Sequence, residues 1–267
     1  MTGIPAKDLS ADRPNIARVY DYLLGGSHNF APDRTFAQEL LSQWPEARDT
    51  MRVNRAFLSR AVRYLAQQAG IRQFLDIGSG IPTMGNVHEI AQQTAPGTHV
   101  VYVDFDPVAV LHSRAILAGN PTAAAIEEDL RQPRQLLEHP ELSAMLDLSK
   151  PVALLLVAVL HFFRDADKPA DLVAELRDAL APGSYLVITH GTADGYLRHV
   201  TGAMETYSQA TAPFQLRSHA EILRFFHGFN LLAPGLVRIP LWRPDDPPEA
   251  DAPANQIAGY AGVGLKP

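Results

Sequence analysis

The chain has 267 residues, 46% of them hydrophobic and 19% charged, a globular composition at a length that fits one large α/β domain and excludes a disordered or fibrous chain. The net charge of -6 argues against a partner held mainly through nucleic-acid phosphates. The absence of cysteine excludes disulfides, thiolate zinc sites, iron–sulfur clusters and a thiolate nucleophile.

The leader, Met1 to Pro14, is polar and lacks the apolar stretch of a signal peptide. Helical periodicity follows. Pro14 precedes Ile16, Val19, Tyr20, Leu23 and Leu24, an i, i+3, i+4 stripe that Gly25-Gly26 ends. A polar turn, Ser27-His28-Asn29, leads to a second helix from about Asp33, with Phe36, Leu40 and Leu41 on one face. A third helix is predicted from about Pro45 to Ala69, where Phe57, Leu58, Ala61, Val62 and Leu65 keep the helical period. The pattern then switches. Strands are predicted over 74–77, 100–104, 123–126, 152–157 and 185–188, and helices over 87–94, 107–118, 133–145 and 169–180. The run 152–157 is apolar throughout, as expected of a strand buried on both faces. Together with Phe163 it closes the longest apolar stretch, which His161 interrupts and which falls short of the ~18 residues of a membrane span. A cytoplasmic protein with no membrane partner is expected.

Strands alternating with helices predict a parallel, doubly wound sheet. The tail differs, with a helix over 220–226, a strand over 231–239, a loop rich in proline over 244–253 and a final strand over 259–265. Two late strands so close in sequence predict an antiparallel hairpin at one sheet edge.

Three acidic or glycine-rich strand ends carry the chemistry. Asp76-Ile77-Gly78-Ser79-Gly80 stands at the carboxyl end of the first strand, where open α/β sheets bind ligands and where glycine lets a ligand approach the backbone. The alternative is a tight turn with no ligand. A dinucleotide fingerprint needs a third glycine, but that position is Thr83 after Pro82, and proline lacks the N–H a phosphate would use. An NAD-dependent dehydrogenase is therefore disfavoured, and a nucleoside without a pyrophosphate suits the loop better. Asp104, ending the second strand, is placed to accept from both ribose hydroxyls, while Asp106 before Pro107 is equally a helix cap. Asp129 follows the third strand, either near an adenine edge or as a solvated turn acid. No histidine pair has metal spacing on a helix face, so no metal is expected.

The loop at Asp76, Gly78 and Gly80, the acids Asp104 and Asp129, the strand running to Leu160-His161, and Leu180-Ala181-Pro182-Gly183-Ser184 together resemble the class I S-adenosylmethionine-dependent methyltransferase core. The whole chain resembles an actinobacterial family of S-adenosyl methyltransferases first described as a domain of unknown function. That likeness is carried by residues 17–26 (ARVYDYLLGG) with Asn29-Phe30, by Asn54-Arg55 with Phe57-Leu58, by Phe225-Phe226 with Gly228, and by Pro234-Gly235-Leu236-Val237 before Trp242-Arg243-Pro244.

The resemblance implies a Rossmann-like seven-stranded sheet with its last strand antiparallel, residues 70–267, under an N-terminal helical cover, residues 1–69. It implies S-adenosylmethionine as cofactor, with Gly78 and Gly80 along the methionyl part, Asp104 on the ribose and Asp129 near the adenine. Asp76 and Val157, at the ends of the first and fourth strands, complete the core's share of that site. Tyr20, Gly25, Gly26, Asn29, Asn54 and Arg55 are expected either to wall the cofactor pocket or to cap helices and fix the cover to the core. Arg18, Asn54 or Arg55 could pair with the methionine carboxylate. Two departures stand out: the glycine common at the Pro82 position is absent, and Ser27-His28 replaces a Lys-Asp pair. His161, at the lip of the fourth strand, either removes the acceptor proton or only packs and orients; His190 is a second candidate base. Phe162, Phe163, Phe225, Phe226 and Trp242 divide between an aromatic acceptor pocket and the core, and Arg217, His219 and Tyr207 fall in a lid region. The expected function is a methyltransferase acting on a small molecule of specialised metabolism, with no nucleic-acid partner. The alternative is a non-catalytic sensor that binds the cofactor.

Overall fold

A computed structural model describes residues 12–82, 85–195, 214–246 and 257–267. Thr83, Tyr207, most of the leader and most of the loop over 244–253 lie outside these. Three helices come first: α1 (Ile16–Leu23), α2 (Ala31–Gln43) and α3 (Ala47–Gln67). Asn15 caps α1, its side chain accepting from Ala17 N and Arg18 N. Pro32 stands in the first turn of α2, where a missing N–H costs nothing.

Alternation follows as β1 (Gln73–Ile77), α4 (Val87–Thr94), β2 (His99–Asp104), α5 (Pro107–Ile116) and β3 (Ala123–Glu127). The predicted helix over 133–145 is two, α6 (Pro133–Leu137) and α7 (Pro140–Met145), because Pro140 cannot continue the first and instead starts the second. Then come β4 (Ala153–Val157), α8 (Pro169–Ala179), β5 (Tyr185–Gly191), α9 (His219–Leu223), β6 (Asn230–Leu231), β7 (Val237–Arg238) and β8 (Gly259–Leu265).

The strands form one sheet in the order β3-β2-β1-β4-β5-β8-β6, parallel from β3 to β5. β8 enters antiparallel beside β5, as expected of the last strand. The strand predicted over 231–239 is corrected. It is broken into β6 and β7, which pair with β8 at Leu265 and Gly264 and at Ala261 and Tyr260, raising the count from seven to eight. The break is the turn Leu232–Gly235, where Gly235 takes φ +93 and donates to Leu232 O, and where Pro234 offers no ladder N–H.

Period 2 sorts the strand residues between two layers. Phe74, Val100, Tyr102, Leu155 and Val187 face α3 and α4, packing with Phe57, Val62 and Leu65. Leu75, Ile77, Val101, Leu154 and Leu156 face the other way, against Leu136, Leu142, Val173 and Leu176. A third cluster, built on Val19, Leu23, Phe36, Leu40 and Trp44, joins α1 and α2 to Ala258, Phe162, Phe214 and Leu216 of the core. The α3 helix thus serves two roles, covering the sheet with one stretch and backing α1 and α2 with another. Among the described residues no helix is long and apolar enough to cross a membrane.

Trp242 locks α3 to the far edge of the sheet. Its ring is fully buried, edge-on to Phe57 at 5.3 Å and Tyr64 at 6.1 Å, and Arg60 donates to the carbonyls of Trp242 and Ile239. Trp242→Ala is expected to cost about 3–5 kcal/mol, read as a lower midpoint in urea unfolding with little change in slope.

Candidate active site

The same alternation that fills the core decides which side chains reach the carboxyl edge beneath α3. Asp76 shares a face with Phe74, Asp104 with Tyr102, Val157 with Leu155, and Thr189 with Val187. One cavity gathers these strand ends under α1 and α3. Of the predicted site residues it is lined by Tyr20, Asn54, Arg55, Asp76, Gly78, Gly80, Asp104, Asp129, Val157 and His161. Gly25, Gly26 and Asn29 stand outside it.

The glycine loop spends its amides internally. Gly78 N and Ser79 N both donate to Val103 O, at 2.8 and 3.2 Å, and Gly80 N donates to Asp104 Oδ2 at 2.8 Å. Gly78, at φ +71, is required by packing as well, since a Cβ there would meet Val159 Cγ2 at 2.4 Å. A pyrophosphate would therefore find these three amides engaged, and Pro82 offers none. What the loop presents is carboxylate.

Asp104 Oδ1 accepts from Asp106 N at 2.9 Å, and burial pushes the Asp104 carboxyl up to about 6 against the pull of its amide donors. Burial pushes Asp76 up to about 7, opposed by Arg55 and reinforced by Asp104. Asp106 does cap α5, accepting from Val108 N at 2.9 Å, yet its Oδ2 is buried without a partner at the cavity wall. Asp129 accepts from Arg131 N at 2.9 Å and pairs with the same guanidinium, so it is both a turn acid and a lining group.

Over these acids stands Arg55, its guanidinium carbon 5.6 Å from the Tyr20 ring and its buried Nε without a hydrogen-bond partner. Asn54 is occupied: Nδ2 donates to Tyr20 Oη at 2.9 Å, and Oδ1 accepts from Thr189 Oγ1 at 2.7 Å. Arg18 is committed to Asp33 Oδ2 at 2.8 Å, with both side chains buried. Asn29 donates to Asp21 Oδ2 and Gly26 O, and a Cβ on Gly26 would sit 2.0 Å from Asp21 Oδ1. His28 likewise turns to Asp21 and to His112, with ring centroids 4.8 Å apart, so the Ser27-His28 departure does not face the cavity.

Across the cavity, after β4, Ala158 takes φ +58 and His161 is buried in a nest of rings, 4.4 Å from Phe162 and 4.5 Å from Phe214 between centroids. Gly191 N–H reaches its Nδ1 at 3.4 Å, which leaves the proton of a neutral imidazole on Nε2. Burial, His190 and Arg217 hold His161 well below the usual imidazole range. His190 Nδ1 meets a carbonyl, Gly191 O at 2.7 Å, so it carries the proton and Nε2 accepts from Arg217 at 3.0 Å. Burial lowers His190 to about 4, against the Gly191 bond and with the help of Arg217.

Arg217 is the buried cation that the sequence could name but not place. At 4% exposure it donates to Leu160 O, Phe163 O, His190 Nε2 and Asp165 Oδ1, so it staples the turn carrying His161 to β5. Phe225, Phe226 and Trp242 are core, whereas Phe162 and Phe163 line the cavity. His219 binds Leu236 O away from it.

With this geometry in hand, comparison with known proteins is decisive for the family. A family model described as S-adenosyl methyltransferase matches residues 3–267. The chain belongs to that family. Two crystal structures are each 41% identical with a TM-score of 0.92: a proposed methyltransferase from Thermobifida fusca YX, covering 98% of this chain and 99% of its own, and a protein of the duf574 family from Streptomyces avermitilis, covering 96% and 99%. N-methyltransferase NodS from Bradyrhizobium japonicum, in complex with S-adenosyl-L-homocysteine, is 12% identical with a TM-score of 0.51 over 94% of this chain and 99% of its own, a likeness of fold alone. No curated protein matches. This S-adenosyl methyltransferase family member thus has the class I methyltransferase fold, with S-adenosylmethionine as its cofactor. The residues present fit that cofactor: carboxylates face a cationic nucleoside, and Arg55 lines the same cavity as a cation for its one carboxylate.

Two outcomes follow. Asp76 and Asp104 hold protons in the native state that the unfolded chain releases near pH 4, so the protein is expected to lose stability as pH rises from about 4 to about 7. Asp76→Asn removes the larger share, on the order of 4 kcal/mol. In urea titrations it should match the parent only below about pH 4 and exceed it increasingly up to about pH 7; a parallel pair of curves would contradict the shift. Arg217→Met leaves Leu160 O, Phe163 O and His190 Nε2 buried without their donor, and should cost about 3 kcal/mol in the same assay.

Proposed function

We propose that the chain transfers a methyl group from S-adenosylmethionine to a small-molecule acceptor of specialised metabolism, acting in the cytoplasm of an actinobacterial cell. The observation that carries this reading is the row of carboxylates at the ends of β1, β2 and β3, facing one cavity whose loop spends the amides of Gly78, Ser79 and Gly80 internally. The cofactor supplies a methyl group on a sulfonium, a leaving group good enough to need no metal.

The chain's own part is binding, orientation and the exclusion of water. In this reading Asp104, already oriented by two backbone amides, takes the ribose hydroxyls on its remaining lone pairs. Asp129 lies toward the adenine, and Asp76, Gly78 and Gly80 follow the methionyl part. Arg55 pairs with the carboxylate, and Tyr20, Asn54 and Val157 close the walls. Gly25, Gly26 and Asn29 serve the cover rather than the pocket, through Asp21. The cover is residues 1–69 and the core 70–267. His161 touches the acceptor. Its neutral imidazole donates from Nε2 to one lone pair of the acceptor heteroatom and leaves another to take the methyl group. The heteroatom's own proton, made strongly acidic by methylation, is lost to water, since Nδ1 already accepts from Gly191 N–H.

Calorimetry with S-adenosylhomocysteine tests the cofactor site. Asp104→Asn and Arg55→Ala are each expected to weaken binding by about tenfold or more, while Asn29→Ala stays within about twofold, in line with loss of a charge-assisted bond. Affinity should rise between pH 5.5 and 7.5 as Asp104 and Asp76, near about 6 and about 7, ionise, Asp104 becoming a stronger acceptor for the ribose hydroxyls and Asp76 gaining charge toward the ammonium group that S-adenosylhomocysteine keeps. Unchanged affinity in both charge variants overturns the placement. Radiolabelled methyl transfer into metabolite extracts then distinguishes enzyme from sensor, since persistent silence with an intact cofactor site favours the sensor.

A further inference from the structure

The cavity is electrically divided along the sheet order. Among the described residues, its charged lining groups stand at the ends of β1, β2 and β3, with Arg55 facing Asp76. Toward β4, β5 and β8 the described lining is apolar and ringed, and the one charged group that reaches it is Arg131, which lies 4.8 Å from the Phe163 ring and is paired with Asp129. Trp44 forms one wall, and Met51, Phe162, Phe214 and Leu216 are only half-buried although they pack with the cover cluster. Phe162 and Phe214 meet edge to face at 5.5 Å, and both contact the His161 ring.

We propose that this chamber receives an uncharged, planar aromatic acceptor, with its nucleophilic heteroatom turned toward His161. The inference deepens the methyltransferase reading of the same cavity and rests on it. Among the described residues an anionic acceptor would lose its hydration and find no free cation there, since Arg131 is paired with Asp129 and Arg217, at 4% exposure, is spent on two carbonyls, a carboxylate and His190. A cationic acceptor would find no carboxylate among the described residues on that side. Saturated apolar molecules would fill the volume but forgo the stacked and edge-to-face contacts that four rings offer a flat one.

The test uses the full chain and four probes of one skeleton, with and without saturating S-adenosylhomocysteine: 2-naphthol, 2-naphthoate, the cationic 2-naphthylmethylamine and saturated decahydro-2-naphthol. By calorimetry, 2-naphthol is expected to bind in the micromolar range and each charged probe at least about tenfold more weakly. Decahydro-2-naphthol should be about fivefold weaker. Phe162→Ala and Phe214→Ala should each weaken 2-naphthol by about fivefold while holding S-adenosylhomocysteine within about twofold. A charged or saturated probe that equals 2-naphthol overturns the proposal, as does failure of 2-naphthol to bind or indifference to both substitutions. If either variant fails to fold, the four probes on the unaltered chain still decide. Loss of S-adenosylhomocysteine binding with the 2-naphthol preference intact would sink the cofactor reading and leave the chamber's preference standing.

Discussion

Polar groups of four residues, linked where α1, α3, β4 and β5 converge, hold this molecule in its working shape. Ala158 N–H donates to Thr189 Oγ1, whose hydroxyl donates to Asn54 Oδ1, and Asn54 Nδ2 donates onward to Tyr20 Oη. Each group is both donor and acceptor where its chemistry allows, so the chain is satisfied from one end to the other. It fixes the left-handed turn after β4, the height of α3 above the sheet and the position of α1. Removing any member takes a partner from its neighbours at the cavity wall, which is why a substitution at Asn54 should disturb the cavity's two walls together.

That joint also explains the cavity's two halves. A parallel sheet brings the carboxyl ends of β1, β2 and β3 to one side, and acids there face a ligand because period 2 puts Asp76 and Asp104 on the α3 face. On the other side of β1 the strand ends are followed by turns of aromatic residues, and the antiparallel β8 completes the wall with Ala258 and Gly259. Charge is therefore separated from apolar surface by topology rather than by any single motif. The energetic consequence is opposite on the two sides: buried carboxylates cost stability until a cation arrives, whereas half-buried rings offer apolar area to a ligand.

Most of the fold was legible because its signals are local. The switch from helical to strand periodicity near residue 73, and the glycine and proline punctuation, place nearly every element within a few residues of its observed bounds. The edge strand was not, since the apolar residues on both sides of Pro234-Gly235, from Leu231 to Ile239, read as one strand although the turn at that pair breaks it. In the site, the strand-end acids announce themselves by position. The roles of Asn54, Thr189 and Arg217 do not, because their partners lie up to 135 residues away and no spacing rule links them. Trp44, Met51, Phe214 and Leu216 share that problem: as apolar residues they read as core, and only the fold leaves part of their surface open to a cavity.

The most distinctive segment of the sequence turns out to act at one remove from the chemistry. Asp21 is buried with one carboxylate oxygen accepting from His28 N and Asn29 Nδ2, and the absence of a Cβ on Gly26 makes room for the other. Gly25, at φ +86, ends α1 so that this loop can turn back on it, and Asp33 then receives Arg18, Asn15 N and Phe30 N at the start of α2. Two buried carboxylates thus tie α1 to α2 through backbone amides, which any residue but proline can supply at position 28. A histidine is tolerated there for that reason. The glycines are not interchangeable in the same way, because one is held by its φ angle and the other by an oxygen standing where a side chain would begin. Such a segment can be diagnostic of a family without touching ligand: its residues set how firmly the cover sits, and Tyr20, one turn of α1 earlier, is where that firmness reaches the cavity.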